Sequence, residues 1–428
     1  MSEDGFDAIV VGAGPAGSIA AYCMAKEGLE VLLIERGTAP GAKNSSGGRL
    51  YGHSLNKIIP NFWEEAPVEC QVSRETVTFL TGETAVSLDV KSQKFADEPS
   101  FTVLRSKFDA WLAEKAEEAG ATLACGVRAD KLILKDGKVI GVLCDEDEMF
   151  ADVVIEADGA NAWLAQKAGI RGELAPKHVA TGVKEVIELP RQVIKDRFNL
   201  TGDTGAAQLF VGECTRGLQG GGFIYTNKES ISLGLVVTTE EFLQTEHKLT
   251  DLMEEFKMHP AIQPLIEGGK VVEYSAHLVP EGGLGMMPPL VNDGLLIVGD
   301  AAGLVLNIGY MVRGMDFAIA SGEAAAYAVV TAKKIGDFSK QGLALYQTAL
   351  EKSFVLQDLR TYSKVPQFLE THRIFANYPA LVEEMMVNLF KVDGTPSQHV
   401  LKSMMATIKR QGGVIQLAKD AWKGVRAL

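Results

Sequence analysis

A glycine-rich turn between an apolar strand and a helix constrains the fold of this chain more than any other feature. The turn, Gly12–Gly17, reads GAGPAG and follows the apolar run Phe6–Val11. The pattern G-x-G-x-x-G predicts a dinucleotide site when it stands between a strand and a helix, as it does here. The first glycine makes the tight turn, the second lets backbone approach a pyrophosphate, and the third lets helix and strand pack closely.

The second strand of this unit carries an acidic side chain at its end. Val31–Ile34 is apolar and is followed by Glu35. A carboxylate in this place accepts hydrogen bonds from ribose hydroxyls, while the amino terminus of the intervening helix offers N–H groups to the phosphates. The first 36 residues therefore predict a βαβ unit that binds a dinucleotide, either NAD or FAD.

Three later segments favour FAD over NAD. The apolar strand that begins near Leu296 ends in Gly299-Asp300, where a carboxylate is suited to a polyol such as the ribityl chain. Another apolar strand ends in Asp158-Gly159, and Arg105 begins a helix at a position suited to the nucleotide half of the cofactor. Each alone is an ordinary strand-ending or helix-starting feature, but the three together in this order indicate a flavin site.

The pattern of apolar residues predicts an α/β protein with an inserted β-rich region. A chain of 428 residues is long enough for more than one compact unit. We expect a discontinuous FAD-binding Rossmann-like domain over 1–75, 100–175 and 286–340. A β-rich (α+β) substrate domain is expected over 76–99 and 176–285, where apolar positions alternate, and a carboxyl-terminal helical region over 341–428.

Composition excludes several classes of protein. The formal net charge of −13 argues against nucleic acid as the main partner. The five cysteines are scattered, so no local metal or iron–sulfur ligation is expected. The acidic amino terminus does not resemble a secretory signal, and Asp300 interrupts the longest apolar segment. We therefore expect an intracellular, cytoplasmic protein that does not cross a membrane.

The carboxyl-terminal segment departs from the acidic balance of the chain. From 397 to 428 a single Asp420 accompanies six basic residues, Lys402, Lys409, Arg410, Lys419, Lys423 and Arg426. One interpretation is a solvated helix face. The other is a basic amphipathic tail that meets an anionic membrane surface or an acidic protein.

The order of these motifs resembles that of the glutathione-reductase-type FAD proteins, and further segments narrow the resemblance. Lys43–Tyr51 (KNSSGGRLY), Tyr274–Gly283 (YSAHLVPEGG) and Val312–Ala320 (VRGMDFAIA) are similar to motifs of the FixC family. That family resembles the flavin part of electron-transfer-flavoprotein–quinone oxidoreductases, and the likeness runs over essentially the whole chain. Where relatives commonly carry a threonine that can hydrogen-bond the flavin, this chain has Met311.

The resemblance implies an FAD that takes electrons originating in an electron-transfer flavoprotein and passes them to a membrane quinone. Because the chain has no cysteines for the cluster that mitochondrial-type relatives hold, a separate small ferredoxin-like iron–sulfur protein is implied as a partner. Peripheral attachment at the inner face of the cell membrane is expected. The alternatives are a flavin-dependent geranylgeranyl or isoprenoid reductase, and a docking subunit with a vestigial flavin site.

Most of the expected site residues are cofactor contacts, because this chemistry needs positioning and redox tuning and no metal. The candidates for a catalytic role are Lys43, Arg49 and Arg313, although Lys43 and Arg49 are equally compatible with surface ion pairs. His53 and His277 are expected to be structural. The expected cofactor contacts are Gly12, Gly14, Pro15, Ala16, Gly17, Glu35, Arg36, Lys43, Gly47, Gly48, Arg49, Arg105, Val127, Asp158, Gly159, Gly299, Asp300, Gly309, Met311 and Val312.

Overall fold

The computed structural model describes residues 5–42, 48–396, 398–411 and 413–428. Its strands, in chain order, are β1 Phe6–Val11, β2 Val31–Glu35, β3 Gly48–Tyr51, β4 Val68–Leu80, β5 Ala85–Lys91, β6 Ser100–Val103, β7 Thr122–Cys125, β8 Ala129–Lys135, β9 Lys138–Cys144, β10 Asp147–Glu156, β11 Val179–Glu188, β12 Thr204–Gly212, β13 Gly220–Thr226, β14 Ser230–Thr238, β15 Lys270–Pro280, β16 Val291–Asn292, β17 Leu295–Ile297, β18 Leu306–Asn307 and β19 Val312–Arg313.

The helices alternate with these strands at first and then occupy the carboxyl-terminal part. They are α1 Pro15–Lys26, α2 His53–Ile58, α3 Arg105–Glu118, α4 Trp163–Lys167, α5 Arg191–Arg197, α6 Thr239–Phe242, α7 Leu249–Met258, α8 Gln263–Ile266, α9 Met315–Ile335, α10 Leu345–Lys352, α11 Phe354–Thr361, α12 Val365–Leu369, α13 Arg373–Ala376, α14 Tyr378–Phe390, α15 Val400–Arg410 and α16 Val414–Ala427.

The first sheet is the parallel sheet that the glycine-rich turn predicts. Strands β17, β10, β1, β2 and β7 lie side by side in parallel, with β16 antiparallel at one edge. Most apolar residues of β1, β2 and β17 and those at the end of β10 are buried, as is typical of strands in a parallel sheet. The hairpin strands β8 and β9 extend this sheet from β10. The carboxyl ends of β1, β2, β10 and β17 therefore meet at one edge.

Helices α1 and α9 pack against each other with almost no space between their backbones. A Cβ atom added to Gly322 of α9 would lie 2.3 Å from the Ala16 carbonyl oxygen of α1. Gly17 has the same role toward the β1–α1 turn, because its added Cβ would lie 1.9 Å from the Gly12 oxygen. These small residues bring the amino termini of α1 and α9 to the same side of the first sheet.

The second sheet is large and mostly antiparallel. Its order is β15-β11-β14-β13-β12-β4-β6-β3, with β5 paired to β4. The α/β fold class with a β-rich sheet and a helical carboxyl-terminal region is thus confirmed. The expected boundary at residues 75 and 76 falls inside β4, and β3 and β6 belong to this sheet as well. The division into domains by residue number stays a prediction.

The carboxyl-terminal helices are held by one buried carboxylate. Asp420 of α16 accepts hydrogen bonds from Arg373 at 2.7 and 2.9 Å and from the Tyr378 hydroxyl at 2.5 Å. Arg373 therefore holds the pKa of Asp420 well below its usual range. Among the residues described, no helix has both the length and the apolar character that crossing a bilayer requires.

The tight α1–α9 contact gives a first prediction. Substituting Gly322→Ala forces the two helices apart, and overpacking of this kind costs about 1–3 kcal/mol in the free energy of unfolding. Urea denaturation measures the change. Gly82→Ala is the matched control, because a Cβ there would meet nothing within 4 Å. Equal stability of the two variants would contradict the close packing described here.

Candidate functional site

A cavity of about 990 Å³ lies where the carboxyl edge of the first sheet faces the second sheet. The glycine-rich turn, the ends of β2 and β10 and the amino terminus of α9 form one wall. The opposite wall is a face of the second sheet, which we call the cavity face, built from β4, β12, β13, β14, β11 and β15. Helices α12 and α13 close one end of the cavity.

The glycine-rich turn presents backbone to the cavity. Gly12 has φ of +106° and approaches β10 so closely that an added Cβ would lie 2.3 Å from the Ala157 oxygen. Gly14, by contrast, is open: the nearest atom to its added Cβ is Arg105 Nη2 at 3.7 Å. A ligand phosphate can therefore approach the turn at Gly14. The first N–H groups of α1 have no intrahelical acceptor and are free to bind it.

Glu35 fixes the turn and reaches the cavity at the same time. Its carboxylate accepts hydrogen bonds from Ala13 N at 3.2 Å and Gly37 N at 2.6 Å. The residue also lines the cavity wall. A carboxylate held in this way has lone pairs left for the hydroxyl groups of a ribose.

Glu156 and Asp158, at the end of β10, form a buried acidic pair. Asp158 Oδ2 accepts from Trp163 N at 2.8 Å, and Glu156 Oε1 accepts from Ala165 N at 3.0 Å. Burial raises the pKa of Glu156, and the neighbouring carboxyl raises it further; burial also raises the pKa of Asp158. Because the two carboxyls are buried side by side, ionisation of one opposes ionisation of the other.

Three basic side chains, Arg105, Lys184 and His277, lie at the centre of the cavity. Arg105, at the start of α3, is held by Asp109 through two bonds of 2.7 Å and lies beside Asp300. Burial and the charge of Arg105 lower the pKa of Lys184 to about 7. Burial, together with Lys184 and Arg105, lowers the pKa of His277 to about 4. A dianionic pyrophosphate beside these groups would relieve their mutual repulsion.

The cavity face changes from apolar to cationic across the sheet. In one row, Val77 of β4 pairs with Leu209 of β12, which pairs with Phe223 of β13. The row continues through Gly234 of β14 to Lys184 of β11. Lys184 Nζ lies 5.3 Å from the centre of the Phe223 ring.

A second row runs parallel to the first and changes from apolar to polar. It begins with the pair Phe79 and Val211 and ends with the pair Gly182 and His277. The apolar end of the cavity face lies near α12 and α13, which contribute Phe368, Leu369, Ile374 and Phe375 to the cavity. The cavity therefore offers a polar end to a dinucleotide and an apolar end to a second molecule.

A loop between β17 and α9 closes the cavity beside the amino terminus of α9. Asn307 in this loop accepts a hydrogen bond from Gly309 N at 2.9 Å and donates one to Glu281 Oε1 at 3.3 Å. Gly309 has φ of +87°, and Leu369 of α12 lies 3.8 Å from its added Cβ. Burial raises the pKa of Glu281 to about 7, and the bond from Asn307 opposes that rise.

Most of the expected cofactor contacts line this cavity. The described residues found in its wall are Gly12, Gly14, Pro15, Ala16, Glu35, Arg36, Gly48, Arg49, Arg105, Val127, Asp158, Gly159, Asp300, Gly309 and Val312. Gly17, Gly299 and Met311 lie behind the wall, where Gly17 serves helix packing and the Met311 side chain packs against the apolar core. Lys43 and Gly47 lie outside the described residues.

The two described candidates for catalysis are both engaged in ion pairs. Arg49 bonds Ser100 at 2.9 Å, pairs with Glu75 and lies 4.4 Å from the Tyr51 ring centre. Arg313 is not in the cavity wall. Its guanidinium bonds Asp316 at 2.6 Å and Asp358 at 2.6 Å and so ties β19 to α9 and α11.

Lys184, Asn307 and Glu281 are polar residues of the cavity that sequence reasoning left without a role. Glu281 stood in a quoted motif, and an acidic residue just after an alternating strand is a usable signal. The sequence around Lys184 gave no signal of a role at the site, because its neighbours in the sheet come from distant parts of the chain. His277, expected to be structural, lines the cavity as well.

Comparison with protein families identifies three matches, of which the first two overlap. Residues 7–208 match the FAD dependent oxidoreductase family. Residues 179–279 match the family described as ETF-QO, ubiquinone-binding, where ETF-QO abbreviates electron-transfer-flavoprotein–quinone oxidoreductase. Residues 365–428 match the ETF-QO/FixC family C-terminal domain. The expectation of FAD as cofactor is confirmed by the first match, and the open backbone at Gly14 with the basic side chains at the centre of the cavity fits that group.

Several curated proteins are similar over their full length. The chain is 52% identical to both the probable electron transfer flavoprotein-quinone oxidoreductase YdiS and the protein FixC of Escherichia coli, covering 100% of each chain. It is 41% identical to the protein FixC of Bradyrhizobium diazoefficiens, again covering 100% of both chains.

Solved structures show the fold. A geranylgeranyl bacteriochlorophyll reductase-like protein from Thermoplasma acidophilum has a TM-score of 0.72 at 22% identity, covering 97% of this chain and 99% of that one. The myxobacterial halogenase CndH has a TM-score of 0.63 at 17% identity, covering 99% and 91%. At these identities the likeness extends to the fold alone.

The openness of Gly14 gives a second prediction. In Gly14→Val the new side chain occupies the space of the pyrophosphate and removes charge-assisted hydrogen bonds worth about 1.5–3 kcal/mol each. We expect FAD affinity to fall about a hundredfold or more, while the protein still unfolds cooperatively. Titration with FAD, followed by flavin fluorescence, measures this. Gly172→Val is the control, since its added Cβ meets nothing within 4 Å. Unchanged FAD affinity in Gly14→Val would place the pyrophosphate elsewhere.

Proposed function

This chain belongs to the ETF-QO/FixC family of FAD-dependent oxidoreductases, and we propose that it passes electrons through bound FAD to a quinone. In this proposal the electrons originate in an electron-transfer flavoprotein and reach the chain through a separate small ferredoxin-like iron–sulfur protein. The observation that carries the proposal is the single cavity with a cationic end beside the glycine-rich turn and an apolar end beside α12 and α13.

The apolar end has the shape and chemistry that a quinone needs. A quinone ring is flat and mostly apolar, with two carbonyl oxygens that require hydrogen-bond donors. The cavity face offers apolar side chains at Val77, Phe79, Leu209 and Val211, beside the backbone of Gly220, Gly221 and Gly222. Phe368 and Leu369 of α12 lie across from this face. The match of residues 179–279 to the ubiquinone-binding family supports the same assignment.

The residues of the chain hold the cofactor and tune it. FAD supplies the two-electron redox chemistry when it is bound. We propose that the expected contacts in the cavity wall hold it, with the glycine-rich turn at the pyrophosphate, Glu35 at the ribose and Asp300 at the ribityl chain. The amino terminus of α9 contributes Gly314 and Met315 to the wall. Its helix dipole favours negative charge, and therefore the reduced state, at the ring end of the cavity.

We propose that the iron–sulfur protein is a separate partner, as the family resemblance implies. Its five cysteines, at 23, 70, 125, 144 and 214, are all free thiols. In the part of the chain that the structure describes, no three His, Cys, Asp or Glu side chains are grouped as a metal site. The family resemblance supports a ferredoxin-like subunit in this role.

We further propose that the carboxyl-terminal helices attach the protein to the inner face of the cell membrane. On α16, Ile415, Lys419, Trp422, Lys423 and Arg426 follow helical spacing and are exposed, with Trp422 65% and Ile415 75% accessible. The acidic residue of this helix, Asp420, is buried against Arg373 and does not offset the basic face. An apolar and basic helix face is suited to the headgroup region of an anionic bilayer.

This membrane-facing surface adjoins the apolar end of the cavity. Gly424 of α16 packs on Phe368, with an added Cβ only 3.0 Å from that ring, and Phe368 lines the cavity. Phe390, at the end of α14, is also 84% exposed. A lipid quinone that leaves the bilayer near α16 thus has a short apolar route past α12. This arrangement supports the quinone proposal over a water-soluble acceptor.

The proposed function is tested with the purified FAD-loaded protein under anaerobic conditions. Its flavin is reduced with light and a sacrificial donor, and a soluble ubiquinone or menaquinone analogue is then added. We expect rapid return of the oxidised flavin spectrum. A flavin that stays reduced with quinones and is reoxidised by a polyprenyl substrate would contradict the proposal and favour an isoprenoid reductase.

The membrane proposal makes a separate prediction for the basic face of α16. Each basic residue near an anionic surface contributes about 1 kcal/mol, so Lys419→Glu with Lys423→Glu costs about 2 kcal/mol or more, which is about thirtyfold in vesicle binding. Co-sedimentation with vesicles containing phosphatidylglycerol measures it. The control is Lys131→Glu with Lys135→Glu on β8, which carries the exposed Leu134. Equal binding of both double variants would contradict the assignment of this face.

A further inference from the structure

Reduction of a quinone adds protons as well as electrons. Two electrons and two protons convert it to a quinol, one proton on each carbonyl oxygen. The reduced cofactor supplies both electrons and one proton. The second proton must come from a group that reaches the far carbonyl oxygen, and such a group has to lie in the cavity wall between the ring end of the cofactor and the apolar end.

Glu281 occupies that position. It follows β15, on the same cavity face as His277, and lines the cavity. Its carboxyl bonds Asn307, in the loop that also carries Gly309 and leads to α9. On its other side, Gly283 lies against Pro366 of α12. The carboxyl therefore stands between the loop expected at the flavin ring and the helix that forms the apolar wall.

We propose that Glu281 is the acid that donates this second proton to the quinone, an inference that rests on the proposed function. The proton leaves the Glu281 carboxyl for the carbonyl oxygen as the two electrons and the other proton arrive from the reduced cofactor. The products are a quinol and the Glu281 carboxylate, which regains a proton from solvent.

The surroundings of Glu281 are suited to this role. A general acid works best when its pKa lies near the working pH, and burial brings the pKa of Glu281 to about 7. Asn307 is its hydrogen-bond partner, and the His178 backbone oxygen accepts a bond from Glu281 N at 2.8 Å. Three charged side chains surround His178, namely Lys177, Glu240 and Glu370. His277 and Lys184 share the cavity face, and Tyr310 lines the opposite loop.

A purely structural role for Glu281 is the competing explanation. Its bond to Asn307 anchors the loop 305–314, so loss of the carboxyl could disturb the cofactor instead of proton delivery. The two roles differ in the acceptor that they affect. Ferricyanide takes electrons without protons, whereas a quinone takes both. A misplaced loop slows both acceptors alike, and a missing acid slows the quinone selectively.

The test compares wild type with Glu281→Gln, whose amide keeps the bond to Asn307. In the photoreduced, FAD-loaded protein at pH 6, we expect reoxidation by a ubiquinone analogue to slow about a hundredfold more than reoxidation by ferricyanide. In wild type the quinone rate should fall as pH rises through about 7, because Glu281 loses its proton. Glu281→Gln should lack that fall. Equal slowing with both acceptors, or an unchanged pH profile, would overturn the proposal.

Two further variants keep the test decisive if Glu281→Gln does not fold. Glu281→Asp retains an acid and should retain the pH-dependent fall at a lower rate. Asn307→Ala removes a bond that lowers the pKa of Glu281, so the fall should move to higher pH. If the quinone rate of Asn307→Ala fell at the same pH as in wild type, the assignment of Glu281 as the acid would be contradicted.

Infrared spectroscopy gives a readout that needs no turnover. Besides the band of the Glu156–Asp158 pair, which both proteins share, wild type should show a second carbonyl band of a protonated carboxylic acid below pH 7 that is missing from Glu281→Gln. Identical carboxylic-acid bands in the two proteins would overturn the proposal. Failure of the proposed function would give a different result from failure of the Glu281 proposal alone. The wild-type protein would then reduce ferricyanide but no quinone, and both proposals would be contradicted.

Discussion

The close approach of backbones at three glycines underlies the whole functional site. Gly12 meets β10, Gly17 meets the Gly12 oxygen, and Gly322 meets the Ala16 oxygen, each at a distance that admits no side chain. Because of these contacts, α1 and α9 begin at the same cavity. Two helix amino termini then face the same cavity, and each favours negative charge of a ligand there. Without this packing the two ends of a dinucleotide would not be bound by one rigid frame.

The second sheet adds the chemistry that distinguishes this site from a simple dinucleotide pocket. Its cavity face runs from Val77 and Phe79 on β4 to Lys184 and His277 on β11 and β15. The cationic end lies beside Arg105 and Asp300, and the apolar end lies beside α12. In the proposed function, electrons pass between two bound molecules that prefer opposite environments, and a lipid-borne acceptor arrives beside the basic face of α16.

Local patterns predicted the parts of the site that depend on short stretches of chain. The strand Phe6–Val11, the glycine-rich turn and the helix at Arg105 each carry their signal within about a dozen residues. The same holds for the Asp158 and Asp300 turns. Helix α1 starts at Pro15, inside the glycine-rich turn, because proline is well suited to the first turn of a helix.

Features that depend on the pairing of distant segments could not be predicted in this way. Lys184 meets His277 and Arg105 only because β11 pairs with β15 and the sheet faces α3. The alternation of apolar and polar residues predicts which face of the sheet a side chain lies on, but it does not predict which strand pairs with its own. The contact of Gly322 with α1 could not be predicted either, because α9 contains many small residues and nothing in the sequence distinguishes this one. Arg313 was a candidate for a catalytic role; its ion pair with Asp358 of α11 joins distant segments, and no local pattern indicates that partner.

The most direct test of the central claim is photo-crosslinking with an azido-quinone in the FAD-loaded protein, followed by peptide mapping. The claim is that a quinone binds the apolar end of the same cavity that holds FAD. It predicts labelling within β4, β12 and α12, at segments such as 77–79, 209–211 and 365–369, and competition by an unlabelled quinone. Labelling confined to other surfaces, or labelling that an excess of quinone does not reduce, would contradict the claim.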